Sequence, residues 1–178
     1  FLLTLNSKLV IIATLALTFA GSMAFLLSEY NNPETLGLIP FSDKISVSIF
    51  ESISGRTAGF STVDHGKTLQ HTNFFFISLM CIGGASASVA GGIKVNTIAV
   101  ILVAVISVVS NRQQTSVFGR EIPQEQVRRA MSIGVIAIIF VFLVGFTLTL
   151  SENISGGHFP FLNLLFESVS AAGTVGLS

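Results

Sequence analysis

Long uncharged apolar runs alternate along this chain with short segments in which apolar and polar residues interleave. Leu9–Leu27 carries no charge between Lys8 and Glu29, and an apolar run of about 20 residues is what a helix needs to cross a bilayer. Asn31-Asn32-Pro33 then breaks that helix. Phe41–Ser54 mixes Ile45, Val47, Ile49, Phe50 and Ile53 with Ser46, Ser48, Glu51 and Ser52. It is too short and too polar to span, and predicts a re-entrant half-helix with Ser42 and Asp43 at its N-cap. Such a segment is tolerated at membrane depth only against protein or a water-filled cavity. Gly55–Asp64 reads as the returning loop and His65–Thr72 as a polar surface segment. Phe74–Ile82 and Val95–Val109 are apolar again, and the decapeptide from Gly83 to Gly92 separates them. Each glycine there weakens a helix by roughly 1 kcal/mol relative to alanine, so the pattern predicts one membrane helix broken at mid-depth. Asn111–Arg129 is a polar connector holding Arg112, Arg120, Arg128 and Arg129, a basic enrichment that marks a cytoplasmic side. Met131–Leu150 is a second full span, Ser151–Phe159 a polar turn, and Pro160 opens a second half-helix at the position where proline is welcome.

The predicted fold is an all-α integral membrane protein of repeated membrane–pore–membrane units, with re-entrant pore half-helices and one broken inner helix. The first unit covers 1–112: outer helix 8–28, half-helix 42–54, loop 55–64 and broken inner helix 73–110. The remainder, 113–178, is a cytoplasmic linker and an incomplete second unit: outer helix 130–151, half-helix 160–171 and loop 172–178. Both ends read as cuts in a longer chain. Composition agrees: 51% of the 178 residues are hydrophobic and only 10% charged, against about 25% charged in soluble domains. The formal net charge of zero argues against a nucleic-acid partner, and the single cysteine, Cys81, excludes an intrachain disulfide.

Candidate chemistry lies in a phrase written twice. Phe50-Glu51-Ser52-Ile53-Ser54 leads into Thr57-Ala58-Gly59-Phe60, and Phe166-Glu167-Ser168-Val169-Ser170 leads into Thr174-Val175-Gly176-Leu177. An ordinary turn would explain one copy. Two copies, each after a spanning run and a half-helix, point to backbone carbonyls placed along an ion path. Consecutive carbonyls face one way only in unusual backbone conformations, which glycine permits. Thr57 and Thr174 add hydroxyls, Phe60 and Leu177 are expected to pack behind the loops, and the negative ends of the half-helices favour a cation.

These phrases, with Gly83-Gly84 through Gly91-Gly92-Ile93-Lys94 between them, resemble the Trk/Ktr/HKT superfamily of potassium transporters, most closely its bacterial Ktr/Trk membrane subunits. The resemblance covers essentially the whole chain. It implies four such units around one pore, of which this chain supplies the third and most of the fourth. Thr57, Ala58, Gly59, Phe60, Thr174, Val175, Gly176 and Leu177 then match filter positions for K+, with Na+ as a second candidate ion. Gly83, Gly84, Ala85, Ser86, Ala87, Ser88, Val89, Ala90, Gly91 and Gly92, followed by Lys94, match an intramembrane gate loop under the filter. The resemblance also implies a homodimer in a bacterial plasma membrane, seated on cytoplasmic nucleotide-binding regulatory subunits.

Read from the residues alone, the small-residue loop is either mobile or a close-packing surface. Lys94 either sets a positive charge below the filter or snorkels to the interface. Glu51 and Glu167 recur at matching positions and either raise the cation concentration at the outer mouth or accept hydrogen bonds from their loops, the second being favoured, with Arg56 as a further strut. His65, His71 and His158 lie in polar loops without ligand spacing, so no metal site is expected beyond K+ at the filter. There is no nucleophile–base arrangement and no phosphate-cradling motif, so neither an enzyme nor a cofactor is expected. The alternative function is a broken-helix secondary transporter coupling a cation to another solute. Here both loops return to the same face, whereas many such transporters invert their repeats.

Overall fold

A computed structural model describes residues 4–85, 88, 90–111, 114–155 and 159–177. Ser86, Ala87, Val89, Arg112 and His158, named above, lie outside the described residues. Helix α1 runs Leu5–Glu29, α2 Phe41–Ser54, α3 Gln70–Met80, α4 Val95–Val109, α5 Gln124–Ser155 and α6 Phe161–Ala172. A two-stranded hairpin, β1 Ser116–Val117 and β2 Arg120–Glu121, joins α4 to α5.

Helices α1 and α5 are long and apolar enough to cross a membrane. The 25 residues of α1 rise about 37 Å, against a hydrocarbon core of about 30 Å. Their outward faces carry Leu15, Phe19 and Leu27 on α1 and Ile136, Ile139 and Leu143 on α5, all exposed, as lipid contact requires. The 14 residues of α2 and 12 of α6 rise only about 18–21 Å and stop partway. Helices α3 and α4 share the inner crossing across the break at 81–94.

The two units repeat a packing device. A Cβ on Gly21 of α1 would strike the Ser52 hydroxyl of α2, and a Cβ on Gly145 of α5 would lie 3.8 Å from the Ser168 hydroxyl of α6. Ser52 and Ser168 hold the same place in the repeated phrase, so a glycine on each outer helix admits its half-helix closely. The units join where α3 meets α6 and α4 meets α5. Phe25, Leu36, Phe76, Met80, Phe166, Val169, Val175 and Leu177 form the main core at that seam. A second cluster, Val100, Ile122 and Ala130, sits beside the hairpin. Leu5 and Lys8 share a cleft with Phe118 and Arg120, so the start of α1 and the basic connector lie at one end of the molecule.

Several expectations need correction. Helix α2 begins after Pro40, with no side-chain cap; Ser42 and Asp43 fall in its first turn, where Ser42 donates to Asp43 instead. Proline likewise precedes α6 as its N-cap, rather than forming its first residue. The polar connector is shorter than read, because α5 starts at Gln124 and already contains Arg128 and Arg129. At its other end α5 continues through Ser155, past the turn expected from Ser151. The fold is helical apart from a short hairpin in the connector that the sequence reading did not include: Phe118 and Gly119 both take positive φ, 51° and 70°, the left-handed pair that closes a tight turn between strands. The His65–Thr72 stretch lies at the surface, with Gly66, Lys67, Leu69, Gln70 and His71 exposed, but it turns His65, Thr68 and Thr72 inward. His71 lies in α3 rather than in a loop.

Candidate functional site: two matched loops

Each half-helix runs into a loop with the same unusual backbone. Thr57 and Gly59 take φ of 74° and 77°, and Thr174 and Gly176 take 52° and 87°. Glycine accepts such angles freely, but a β-branched threonine there is a true outlier. Strain of this kind persists only where the surroundings impose it, and it concentrates at functional sites.

The surroundings that impose it are also repeated. The last serine of each phrase grips its loop twice. The Ser54 carbonyl accepts the Ala58 N–H at 3.1 Å, and the Ser170 carbonyl accepts the Val175 N–H at 2.8 Å. The Ser170 hydroxyl donates to the Leu177 carbonyl at 2.6 Å. The Ser54 hydroxyl donates to the matching Phe60 carbonyl and accepts the Phe60 N–H at 2.9 Å. Sequence reasoning quoted both serines without giving them a role, although their fixed place before each loop was the available signal.

The loops face one another. The Val175 carbonyl oxygen occupies the space that a Cβ on Gly59 would need, and a Cβ on Gly176 would lie 3.8 Å from the Gly59 Cα. The two glycines read as filter positions are therefore neighbours, more than a hundred residues apart in sequence. The Thr57 hydroxyl is buried without a hydrogen-bond partner among the described residues.

Behind the loops the two copies diverge. Glu51 is 0% exposed. Its Oε1 accepts the Thr62 N–H at 2.7 Å and the Thr62 hydroxyl at 2.8 Å, and the Ser61 hydroxyl donates to the carboxylate at 3.1 Å. His65 Nε2 stands 3.4 Å from Glu51 Oε2. Glu167, at the matching place in α6, is exposed. Arg56 reaches across to the Thr18 hydroxyl of α1, and its Nε is buried without a hydrogen-bond partner among the described residues. The expectation that Phe60 packs behind its loop fails: Phe60 is 72% exposed, whereas Leu177 is 3% exposed within the main core. Because Ser54 holds both the Phe60 N–H and carbonyl, the first loop keeps its shape without burying that ring.

The broken helix comes up against the second loop. A Cβ on Gly91 would meet the Gly173 carbonyl and the Thr174 hydroxyl. The neck of the small-residue loop is tied by backbone bonds, Gly83 N–H to Ile93 O at 2.9 Å, Ile93 N–H to Cys81 O at 3.0 Å and Val95 N–H to Gly84 O at 3.1 Å. The glycines let the two strands of the neck approach closely. Lys94 folds back over the loop, donating to the Ser88 carbonyl at 3.1 Å and to the Ala90 carbonyl.

Known proteins resemble this chain in sequence and in fold. The profile of a family described as TrkH, cation transport protein, matches residues 1–178. The chain is 39% identical over 175 residues to the Ktr system potassium uptake protein B of Bacillus subtilis, covering 98% of this chain. It is 34% identical over 176 residues to the protein of the same name from Vibrio alginolyticus. It spans 38% of the length of each of these relatives. The crystal structure of the potassium transporter TrkH from Vibrio parahaemolyticus matches 96% of this chain and 42% of its own with a TM-score of 0.58 at 17% identity. That likeness shows the fold.

Proposed function

We propose, from the premise that this chain belongs to the TrkH family of cation transport proteins, that it supplies two of the loops lining a potassium path across a bacterial plasma membrane. The observation that carries the proposal is the meeting of Gly59 with Gly176 in loops of the same left-handed pattern. Peptide carbonyls in such loops replace the water shed by a monovalent cation, and the half-helix C-termini add partial negative charge behind them. Thr57, Ala58, Gly59 and Phe60 line one side of the path, and Thr174, Val175, Gly176 and Leu177 another. Glu51 and Arg56 brace the first loop, and Glu167 stands at the matching place in the second unit.

The small-residue loop 83–92 acts as a gate. Its support is position: Gly91 lies directly against the start of the second filter loop. Lys94 acts as a clasp on that loop through carbonyls rather than as a free charge in the path. An apolar groove of about 700 Å³ between α3, α5 and α6 is the seat of the second unit's inner helix, which the order of the first unit places after the second loop. The whole protein functions as a homodimer, and the basic segment containing Arg120, Arg128 and Arg129 faces the cytoplasmic regulatory subunits.

Gly59→Asp or Gly176→Asp in the full-length protein is expected to abolish potassium uptake while leaving membrane assembly intact; normal uptake by both variants would remove the proposal. Deleting 84–91 is expected to raise unregulated flux, and unchanged flux and regulation would remove the gate assignment.

A further inference from the structure

His65 was expected to be a loop residue at the surface. The chain instead turns it inward. The Asp64 carboxylate accepts the Gly66 N–H at 2.9 Å, capping a short 3-10 turn at His65–Lys67. The Thr68 hydroxyl and the Asn73 amide donate to the His65 carbonyl at 2.7 and 3.1 Å. The residue is left 3% exposed. Its ring packs beside Phe76 of α3 and Phe166 of α6, with centroids 5.2 and 5.5 Å apart.

The carboxylate it faces has a divided task. Oε1 of Glu51 holds the first loop through Thr62, while Oε2 shares the Ser61 hydroxyl and faces His65 Nε2 at 3.4 Å, a contact outside hydrogen-bond geometry. Neither ring nitrogen of His65 has a hydrogen-bond partner among the described residues, so Oε2 is the polar atom the ring has to face. A fully buried carboxylate needs polar neighbours on both oxygens, because unpaired charge in a dry site is costly. Without the imidazole, Oε2 keeps only the Ser61 hydroxyl. The carboxylate must then rotate or take up a proton, and either change slackens the bonds from Thr62. Thr62 lies three residues from Gly59, and functional geometry of this kind has a tolerance of about 0.5 Å. Phe166 also immediately precedes Glu167 in the second half-helix, so the ring is wedged between the two units.

We propose that His65 is a positioning residue for ion discrimination, acting through Glu51 on the first loop. The inference rests on the filter reading above. A purely packing role is the competing explanation, and it needs only a flat ring between Phe76 and Phe166.

The test is the ratio of potassium to sodium uptake by the full-length protein in proteoliposomes, with membrane content measured for each variant. His65→Phe keeps a ring but removes the nitrogen facing Oε2, and is expected to lower the ratio roughly fivefold, less than the loss of a full charge-assisted hydrogen bond. His65→Gln retains an N–H donor near the Nε2 position and is expected to recover most of the ratio. On a Glu51→Gln background, His65→Phe is expected to add no further loss, because the two act as one unit. A ratio unchanged in His65→Phe, or no better in His65→Gln than in His65→Phe, would overturn the inference. Should His65→Phe fail to reach the membrane, His65→Gln against His65→Asn decides, since the shorter amide falls at the Nδ1 position; equal ratios would overturn it. Gly59→Ser is measured alongside. If it leaves the ratio unchanged, the filter reading fails and this inference with it. If it shifts the ratio and His65→Phe does not, only the role of His65 is lost.

Discussion

The two loops share a backbone and differ in what stands behind it. Both alternate left-handed residues at a threonine and a glycine, and both hang from a serine at the end of the half-helix. The first is then braced by polar groups, Glu51, Thr62, Ser61 and His65, and leaves Phe60 exposed. The second is braced by apolar burial, with Val175 and Leu177 inside a core that includes Phe166, Val169 and Met80. On the proposed reading, the shared part is what an ion would meet and the divergent part is scaffold. A repeat can therefore keep one geometry while its supports drift, provided each copy still overdetermines the strained residues.

The largest break in this comparison is expected from alanine at the glycines. Both substitutions strain a left-handed residue by about 1–2 kcal/mol, but only a Cβ on Gly59 also meets the Val175 carbonyl. Gly59→Ala is therefore expected to cut potassium uptake far more than Gly176→Ala, and equal losses would mean that the loops are spaced differently from the structure. The next effect concerns the carboxylates. Glu51→Gln turns an amide toward the Thr62 N–H and removes a buried charge partner of His65, a change of about 1–3 kcal/mol. Glu167→Gln on an exposed site is expected to stay within about 0.5 kcal/mol. Thermal stability of the purified protein, read with the potassium-to-sodium ratio, checks this, and matched effects would contradict polar bracing of the first loop alone. The smallest effect is shared by both copies. Ser170→Ala removes one hydroxyl bond and Ser54→Ala two, each worth about 1 kcal/mol, so both are expected to lose selectivity, Ser54→Ala the more; a loss in only one copy would show that the serine grip is not a shared device.

Much of this architecture is legible in the residues. Leu9–Leu27 and Met131–Leu150 are uncharged for a bilayer's width, so α1 and α5 follow from length and hydropathy alone. The break between α3 and α4 follows from consecutive glycines. The half-helices follow from mixed polarity over too few residues to span. The loops stand out only because the phrase is written twice. What could not be read depends on contacts across the fold. His65 sits in a stretch with Asp64, Lys67 and Gln70, and its burial comes from Phe76 and Phe166, which sequence order does not place beside it. The exposure of Phe60 and the burial of Leu177 differ although both follow the same glycine, because only the second loop abuts the apolar seam between units. The hairpin was hidden because Phe118-Gly119 lacks the Asn-Gly or Asp-Gly signature of its turn type. The tied neck of the small-residue loop was hidden because glycine-rich sequence is equally compatible with mobility and with close backbone approach.

Serine placed at each filter glycine in turn, with potassium and sodium uptake measured in the full-length protein, addresses the shared path most directly. If both loops line one path, Gly59→Ser and Gly176→Ser each lower the potassium-to-sodium ratio, although they lie in different units of the repeat. A ratio untouched by either substitution would contradict a path lined by both loops.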